Sequence, residues 1–102
     1  PTQAKILPIS DAQLEYAREI EKEYRKAGIR IEVDDRNEKI GYKIREARLE
    51  RSPYILIVGD KEAASNTVSV RSRKDDVGSM SLDDFESKIL KEIASKSIEQ
   101  LM

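Results

Sequence analysis

The sequence predicts a three-layer α/β domain with a mixed four- or five-stranded sheet, a parallel βαβαβ core and three helices. Two consecutive strand–helix–strand units occupy residues 5–58, which implies right-handed crossovers and parallel pairing. The segment YILIV (54–58) is unbroken and apolar, as expected of a central strand covered on both faces. A further alternating segment follows after a short gap, which suits an antiparallel return. The length of 102 residues favours one domain over residues 1–102.

The first part of the chain predicts a strand, a helix and a second strand. Residues 5–9 form the first strand, and Ser10 then suits a helix N-cap with Gln13 as its capping-box partner. Gly28 stands where a residue of positive φ ends a helix. Residues 29–33 alternate apolar and polar side chains, which predicts one covered face. Apolar residues between the two strands recur at helical spacing: Leu14, Ala17, Ile20, Tyr24 and Ala27.

A second helix precedes the central strand. Ile40, Ile44 and Ala47 recur at helical spacing and predict a helix from about Gly41 to Arg51. A Ser-Pro step ends this helix, because the residue before proline is disfavoured in the α region.

The last part of the chain predicts a loop, a return strand and a third helix. The polar segment GDKEAASN (59–66) is expected to form the loop, and residues 67–71 alternate again. Ser81 can cap the third helix, with Asp84 in the capping-box position. The expected buried stripe of this helix contains Leu82, Phe85, Ile89, Ile93 and Ala94.

The composition excludes several classes of function. The chain contains no cysteine and no histidine, which removes disulfides, thiolate metal sites, a cysteine nucleophile and the commonest general base. No apolar stretch approaches the roughly 18 residues of a membrane span. The first residue is Pro1, so we expect an excised piece of a longer protein. A binding module is favoured over an enzyme.

Positive charge is concentrated in the middle of the chain. Residues 36–51 contain six basic and three acidic side chains, a net charge of +3, and residues 71–74 add three more bases. If the fold brings these segments together, they form a basic patch suited to phosphates. The alternative reading is two solvated faces of charge-rich elements.

Two other features are better explained by structure than by chemistry. Asp34 and Asp35 are adjacent and have no third carboxylate nearby, so a turn is favoured over a metal or acid–base site. Gly41 and Gly59 lack the spacing of a phosphate-binding loop. Gly59 is expected to allow a sharp turn.

The start of the second helix combines several features that suit RNA. Unpaired N–H groups and the positive end of the helix dipole lie beside Lys39 and Lys43. Residues 34–39 and 59–62 should meet at the carboxyl edge of the parallel strands, where ligands bind in open α/β sheets. Amide, guanidinium and carboxylate groups there can read base edges, which are accessible mainly in single-stranded loops.

The chain resembles the C-terminal anticodon-binding domain of bacterial-type threonyl-tRNA synthetases. The resemblance rests on AGIRIEVDDRNEKIGYKIREA, PYILIVGDKE, VSVRSR and GSMSLDDF, and it covers about residues 5–93. The broad domain type is shared with the prolyl, histidyl and glycyl synthetases. Threonine tRNAs share a middle guanine and a third uracil in the anticodon. The resemblance therefore implies that this domain reads those two bases and tolerates the first.

The resemblance also implies a set of anticodon-contacting residues. Arg71 is assigned to guanine, Glu62 to a base N–H, and Arg45 to base or backbone. Gly41 allows close RNA approach or a tight helix entry. The full RNA-binding set is Asn37, Lys39, Arg45, Glu62, Arg71, Arg36 and Lys43, and no catalytic or metal site is expected.

The expected context is a threonine–tRNA ligase acting in translation. No cofactor is expected in this fragment, whereas ATP with Mg and zinc are expected in the absent catalytic domain. The expected partner is the anticodon loop of threonine tRNA, with no DNA and no membrane. The parent enzyme is expected to be a cytoplasmic homodimer.

Two alternatives remain. One is a free-standing accessory module of the same domain type that binds RNA or protein. The other, a small enzyme, is disfavoured by the absence of histidine and cysteine.

Overall fold

A computed structural model describes residues 2–73 and 76–101, with side chains described up to residue 95. Lys74, one of the predicted basic residues, lies outside the described residues. The sheet is mixed and five-stranded, with strand order β2-β1-β3-β4-β5. β1 pairs in parallel with β2 and β3, whereas β3–β4 and β4–β5 are antiparallel. The strands are β1 (Ala4–Pro8), β2 (Ile31–Val33), β3 (Tyr54–Val58), β4 (Thr67–Ser72) and β5 (Asp76–Ser81).

Four α-helices lie in the described part of the chain, one more than the sequence predicted. They are α1 (Leu14–Lys26), α2 (Ile40–Leu49), α3 (Asp60–Ser65) and α4 (Leu82–Leu101), and a 3₁₀ turn (Asp11–Gln13) precedes α1. The predicted α/β class with its parallel βαβαβ core is confirmed. None of the helices in the described part of the chain is long and apolar enough to cross a membrane.

The sheet separates two apolar clusters, one on each of its faces. The first lies under α1 and α4 and includes Tyr24, Val68, Val70, Phe85 and Ile89. The second lies under α2 and contains Leu7, Ala47, Ile55 and Ile57, with Ile40 and Ile44 packed against it. Residues of β1 and β3 form its sheet side, with no member from β4 or β5 among the described residues. The second face of the β4–β5 hairpin is therefore not part of a core.

The caps of two helices agree with the sequence prediction. Ser10 and Gln13 form a capping box. This box opens the 3₁₀ turn, and α1 begins directly after that turn at Leu14. The backbone N–H of Asp84 donates to Ser81 Oγ at 3.1 Å. Gly28 adopts φ of +92° after α1. Ala94, expected in the stripe of α4, is exposed.

The prediction of a loop at residues 59–66 was wrong, because this segment forms α3. Glu62 closes the first turn by accepting a hydrogen bond from the Gly59 N–H at 2.8 Å. Asn66 ends the helix in the left-handed region. Gly59 itself is extended, with φ of −121°, so its backbone does not require glycine. A Cβ there would lie 2.7 Å from Ile9 Cδ1, so the end of that exposed side chain would have to shift.

Candidate nucleic-acid interface

Lys43 is a buried cation at the carboxyl edge of the parallel strands. Its side chain reaches from α2 to the ends of two strands, and the residue is 3% exposed. The Nζ atom donates to the carbonyl oxygens of Pro8 at 3.2 Å and Asp34 at 3.1 Å. A buried ammonium must be paired in this way, because an unpaired one is costly. Lys43 therefore joins α2 to the ends of β1 and β2.

Arg36 is fixed by two carboxylates beside this position. Its Nε and Nη2 atoms donate to the Asp34 carboxylate at 2.9 and 2.7 Å, and its Nη1 donates to Glu46 at 2.7 Å. The guanidinium carbon also lies 5.5 Å from the ring centroid of Tyr42. These contacts tie residues 34–36 to one side of α2. The Arg36 charge is largely compensated within the protein.

The same contacts shift the titration of both carboxylates. Hydrogen bonds from Arg36 lower the pKa of Asp34, outweighing the opposing effect of its burial. Hydrogen bonds from Arg36 and then Tyr42 lower the pKa of Glu46. Both shifts favour the ionised carboxylates, which hold Arg36 between the segment before α2 and the helix itself.

Three predicted site residues remain available at this carboxyl edge. Asn37 and Lys39 are exposed in the segment leading into α2, and no side-chain partner for either lies among the described residues. Glu62 lies across the edge at the start of α3. Its Oε1 is occupied by the Gly59 N–H. Residues 34–39 and 59–62 thus lie at one edge, as the sequence predicted. The described residues include no cluster of three or more acidic, histidine or cysteine side chains that could hold a metal ion.

Arg71 lies on the second face of the sheet, beside the apolar cluster under α2. Val68 and Val70 point to the first cluster, so strand alternation places Ser69 and Arg71 on the opposite face. Arg71 pairs in register with Ile55 of that second cluster. Its Nε atom is buried and has no hydrogen-bond partner among the described residues. A buried donor without a partner is uncommon in native structures.

α2 has two distinct exposed sides. Tyr42 and Glu46 point towards β2 and contact Arg36. Gly41, Arg45 and Arg48 follow one another at helical spacing on the other side, and Arg48 lines a cavity with residues of β4. This side of α2 and the open face of β4 and β5 lie on the same face of the sheet, and we call the surface they form the reading groove. Its described border consists of Gly41, Arg45, Arg48, Ser69, Arg71 and Ser79.

The structure brings most of the predicted set together and separates two members from it. Asn37, Lys39 and Glu62 lie at the carboxyl edge of the parallel strands, whereas Arg45 and Arg71 border the reading groove. Lys43 and Arg36 do not belong to this surface, because internal acceptors hold their cationic groups. For Lys43 the expected surface position was therefore wrong. Its position on the buried side of α2 follows from the spacing Ile40, Lys43, Ala47, which continues the apolar stripe.

The fold is a three-layer α/β domain with an open sheet face beside a basic helix. A family model described as an anticodon binding domain matches residues 3–92, and the chain belongs to this family. The chain is 63% identical over 97 residues to the threonine–tRNA ligase of Clostridium botulinum and 62% identical to that of Clostridioides difficile. Each alignment covers 94% of the chain and 15% of the relative's length. The chain thus spans about 15% of the length of these relatives.

Solved structures share the fold. The RNA binding domain of threonyl-tRNA synthetase from Cryptosporidium parvum superposes with a TM-score of 0.83 and 32% identity. That match covers 89% of this chain and 23% of the other. A prolyl-tRNA synthetase of the same organism gives a TM-score of 0.80 at 28% identity, covering 89% of this chain and 20% of the other. The predicted family resemblance is confirmed.

Proposed function

We propose that this chain recognises the anticodon of threonine tRNA, as one domain of a threonine–tRNA ligase. The bases read are the middle guanine and the third uracil. The names of the most similar relatives support the choice of amino acid. The open face of β4–β5, with a line of cations beside it, suits a single-stranded loop whose bases are splayed out.

The observation that carries this proposal is the position of Arg71 on the open face of β4, where its guanidinium has no hydrogen-bond partner among the described residues. An arginine can donate two parallel hydrogen bonds to guanine O6 and N7, which is the commonest specific protein contact to a base. In the free domain the buried Nε has no partner among the described residues. The terminal Nη atoms are not among the buried atoms without a partner, so a guanine can approach the guanidinium from that side. We assign Arg71 to the middle guanine for this reason.

The other residues complete the recognition. Glu62 uses one oxygen for the Gly59 N–H, so its second oxygen can accept from a base N–H. Asn37 has an amide that both donates and accepts, which suits uracil, and Lys39 supplies charge for the adjacent phosphate. Arg45, exposed on the groove side of α2, contacts base or backbone.

The test measures affinity for two anticodon stem-loops by fluorescence anisotropy. One stem-loop carries a threonine anticodon, and the other differs only at the middle base. We expect wild type to prefer the first, and Arg71→Gln to lose about 1–3 kcal/mol of that preference. Lys22→Gln, at an exposed position of α1, also removes one positive charge and should keep the preference for the threonine stem-loop. Equal affinities of wild type for both stem-loops would contradict the proposed function.

A further inference from the structure

A second concave surface continues the reading groove towards the C-terminal end of α2. It is a cavity of about 530 Å³ between that helix end and the β4–β5 hairpin. Its floor includes Ile55, the register partner of Arg71, so it adjoins the proposed guanine site. The residues lining it are Arg48, Arg51, Ser52, Ile55, Ser72, Arg73 and Asp76.

The charge of this cavity is strongly positive. Three arginines line it, Arg48 from α2, Arg51 from the following turn and Arg73 from the end of β4, against Asp76 alone among the described lining residues. Arg48 and Arg51 are exposed, and no side-chain partner for either lies among the described residues. Cations brought together from separate segments repel one another in the free protein. An anion in the cavity would remove that repulsion.

A purely structural reason explains only part of this cluster. Basic residues near a helix C-terminus complement the helix dipole, and Arg48 occupies the last turn of α2. Arg73 donates from Nη2 to the carbonyl oxygen of Arg51, which stabilises a residue held at φ of 61°. Neither role requires the Arg51 guanidinium, and neither explains why all three side chains line one cavity.

We propose that Arg48, Arg51 and Arg73 bind backbone phosphates of the anticodon loop, at a subsite separate from the bases. The proposal rests on the proposed function, because it takes RNA as the ligand. Bases are read near the start of α2 and beside Arg71. Phosphate charge is neutralised near the C-terminal end of α2. This subsite adds affinity without sequence preference, as phosphate contacts do.

The salt dependence of binding tests this division of roles. Affinity for the threonine stem-loop is measured between about 50 and 200 mM salt for wild type and for Arg48→Gln/Arg51→Gln. Each phosphate contact on single-stranded nucleic acid contributes about 0.7 to the slope of log K against log salt. We expect the double variant to lower the slope by about 1.4 and to weaken both stem-loops by the same factor.

Two controls make the result decisive. Arg48→Lys/Arg51→Lys should keep most of the slope, and Lys22→Gln/Lys26→Gln on α1 should keep all of it. An unchanged slope in the Gln variant, or a changed middle-base preference, would overturn the proposal while leaving the role of Arg71 intact. Should the double variant not fold, Arg48→Gln alone carries the test, with an expected slope change of about 0.7.

Discussion

The ammonium of Lys43 lies 3.1 Å from the carbonyl oxygen of Asp34, nine residues earlier in the chain. The carboxylate of the same Asp34 binds Arg36. Asp34 therefore uses its backbone and its side chain to hold two cations, one under α2 and one beside it. This arrangement positions the segment that carries Asn37 and Lys39 at the carboxyl edge of the parallel strands.

Lys43→Met should destabilise the domain. The change leaves two buried carbonyl oxygens without their donor, and each such loss costs about 1–3 kcal/mol. We expect a loss of roughly 2–4 kcal/mol in the free energy of unfolding, measured with urea. Lys39→Met, at an exposed position, should change stability by no more than about 0.5 kcal/mol. Equal stabilities of the two variants would show that Lys43 is not a structural cation.

Arg36→Gln should weaken the dependence of stability on pH in acid. Arg36 lowers the pKa of Asp34 and of Glu46 in the folded state. A carboxyl group whose pKa is lower in the folded state stabilises the protein at pH values above its unfolded pKa of about 4. This stabilisation is lost as the pH falls through the folded-state pKa. The measurement is urea unfolding at pH 7 and at pH 3. A variant that lost as much stability as wild type between these pH values would refute the assignment.

Arg71→Met should leave the free domain as stable as wild type or more stable by about 1 kcal/mol. The substitution removes a buried donor that has no partner among the described residues and retains the aliphatic part of the side chain. Thermal and urea unfolding of the free protein measure this effect. Arg45→Met, at an exposed position of α2, is the matched control. A clear loss of stability in Arg71→Met alone would indicate a structural role for the guanidinium.

Gly41→Ala should raise stability and lower RNA affinity. A Cβ at Gly41 would meet no atom within 4 Å, and alanine is favoured over glycine inside a helix by about 0.5–1 kcal/mol. The same methyl group would project from the groove side of α2. Stability is measured by unfolding and affinity by stem-loop titration. Unchanged affinity would exclude close RNA approach at this position. Gly28→Ala is the contrasting control, because its φ of +92° penalises alanine.

The sheet and its long helices could be predicted because local pattern and tertiary burial agree there. The apolar run of β3 and the stripe of α1 are each consistent with one element type. α3 could not be predicted in this way, because it has only six residues and none of them is buried. Its stability depends on the Glu62 capping bond and on packing against neighbours, which hydrophobic periodicity does not reveal.

The site could be predicted as a set of residue types at one edge, but not as a set of free groups. Arg36 carries the same charge as Lys39 and differs in what the fold places beside it, whereas the spacing of Lys43 with Ile40 and Ala47 already indicates its buried side of α2. The composition of a segment cannot show which cation meets an internal acceptor. The pairing of Arg36 with Glu46, ten residues away, depends on the angle at which the chain enters α2.

The position of β1 has a consequence for the order of folding. The strand nearest the start of the chain lies between β2 and β3, and its residue Ala4 pairs with Ile31 on one side and Tyr54 on the other. Both edges of β1 can therefore be filled only after the residues of β3 have been synthesised. The β3–β4–β5 meander uses shorter connections. The slow step in folding should be the insertion of β1, since distant pairings form late.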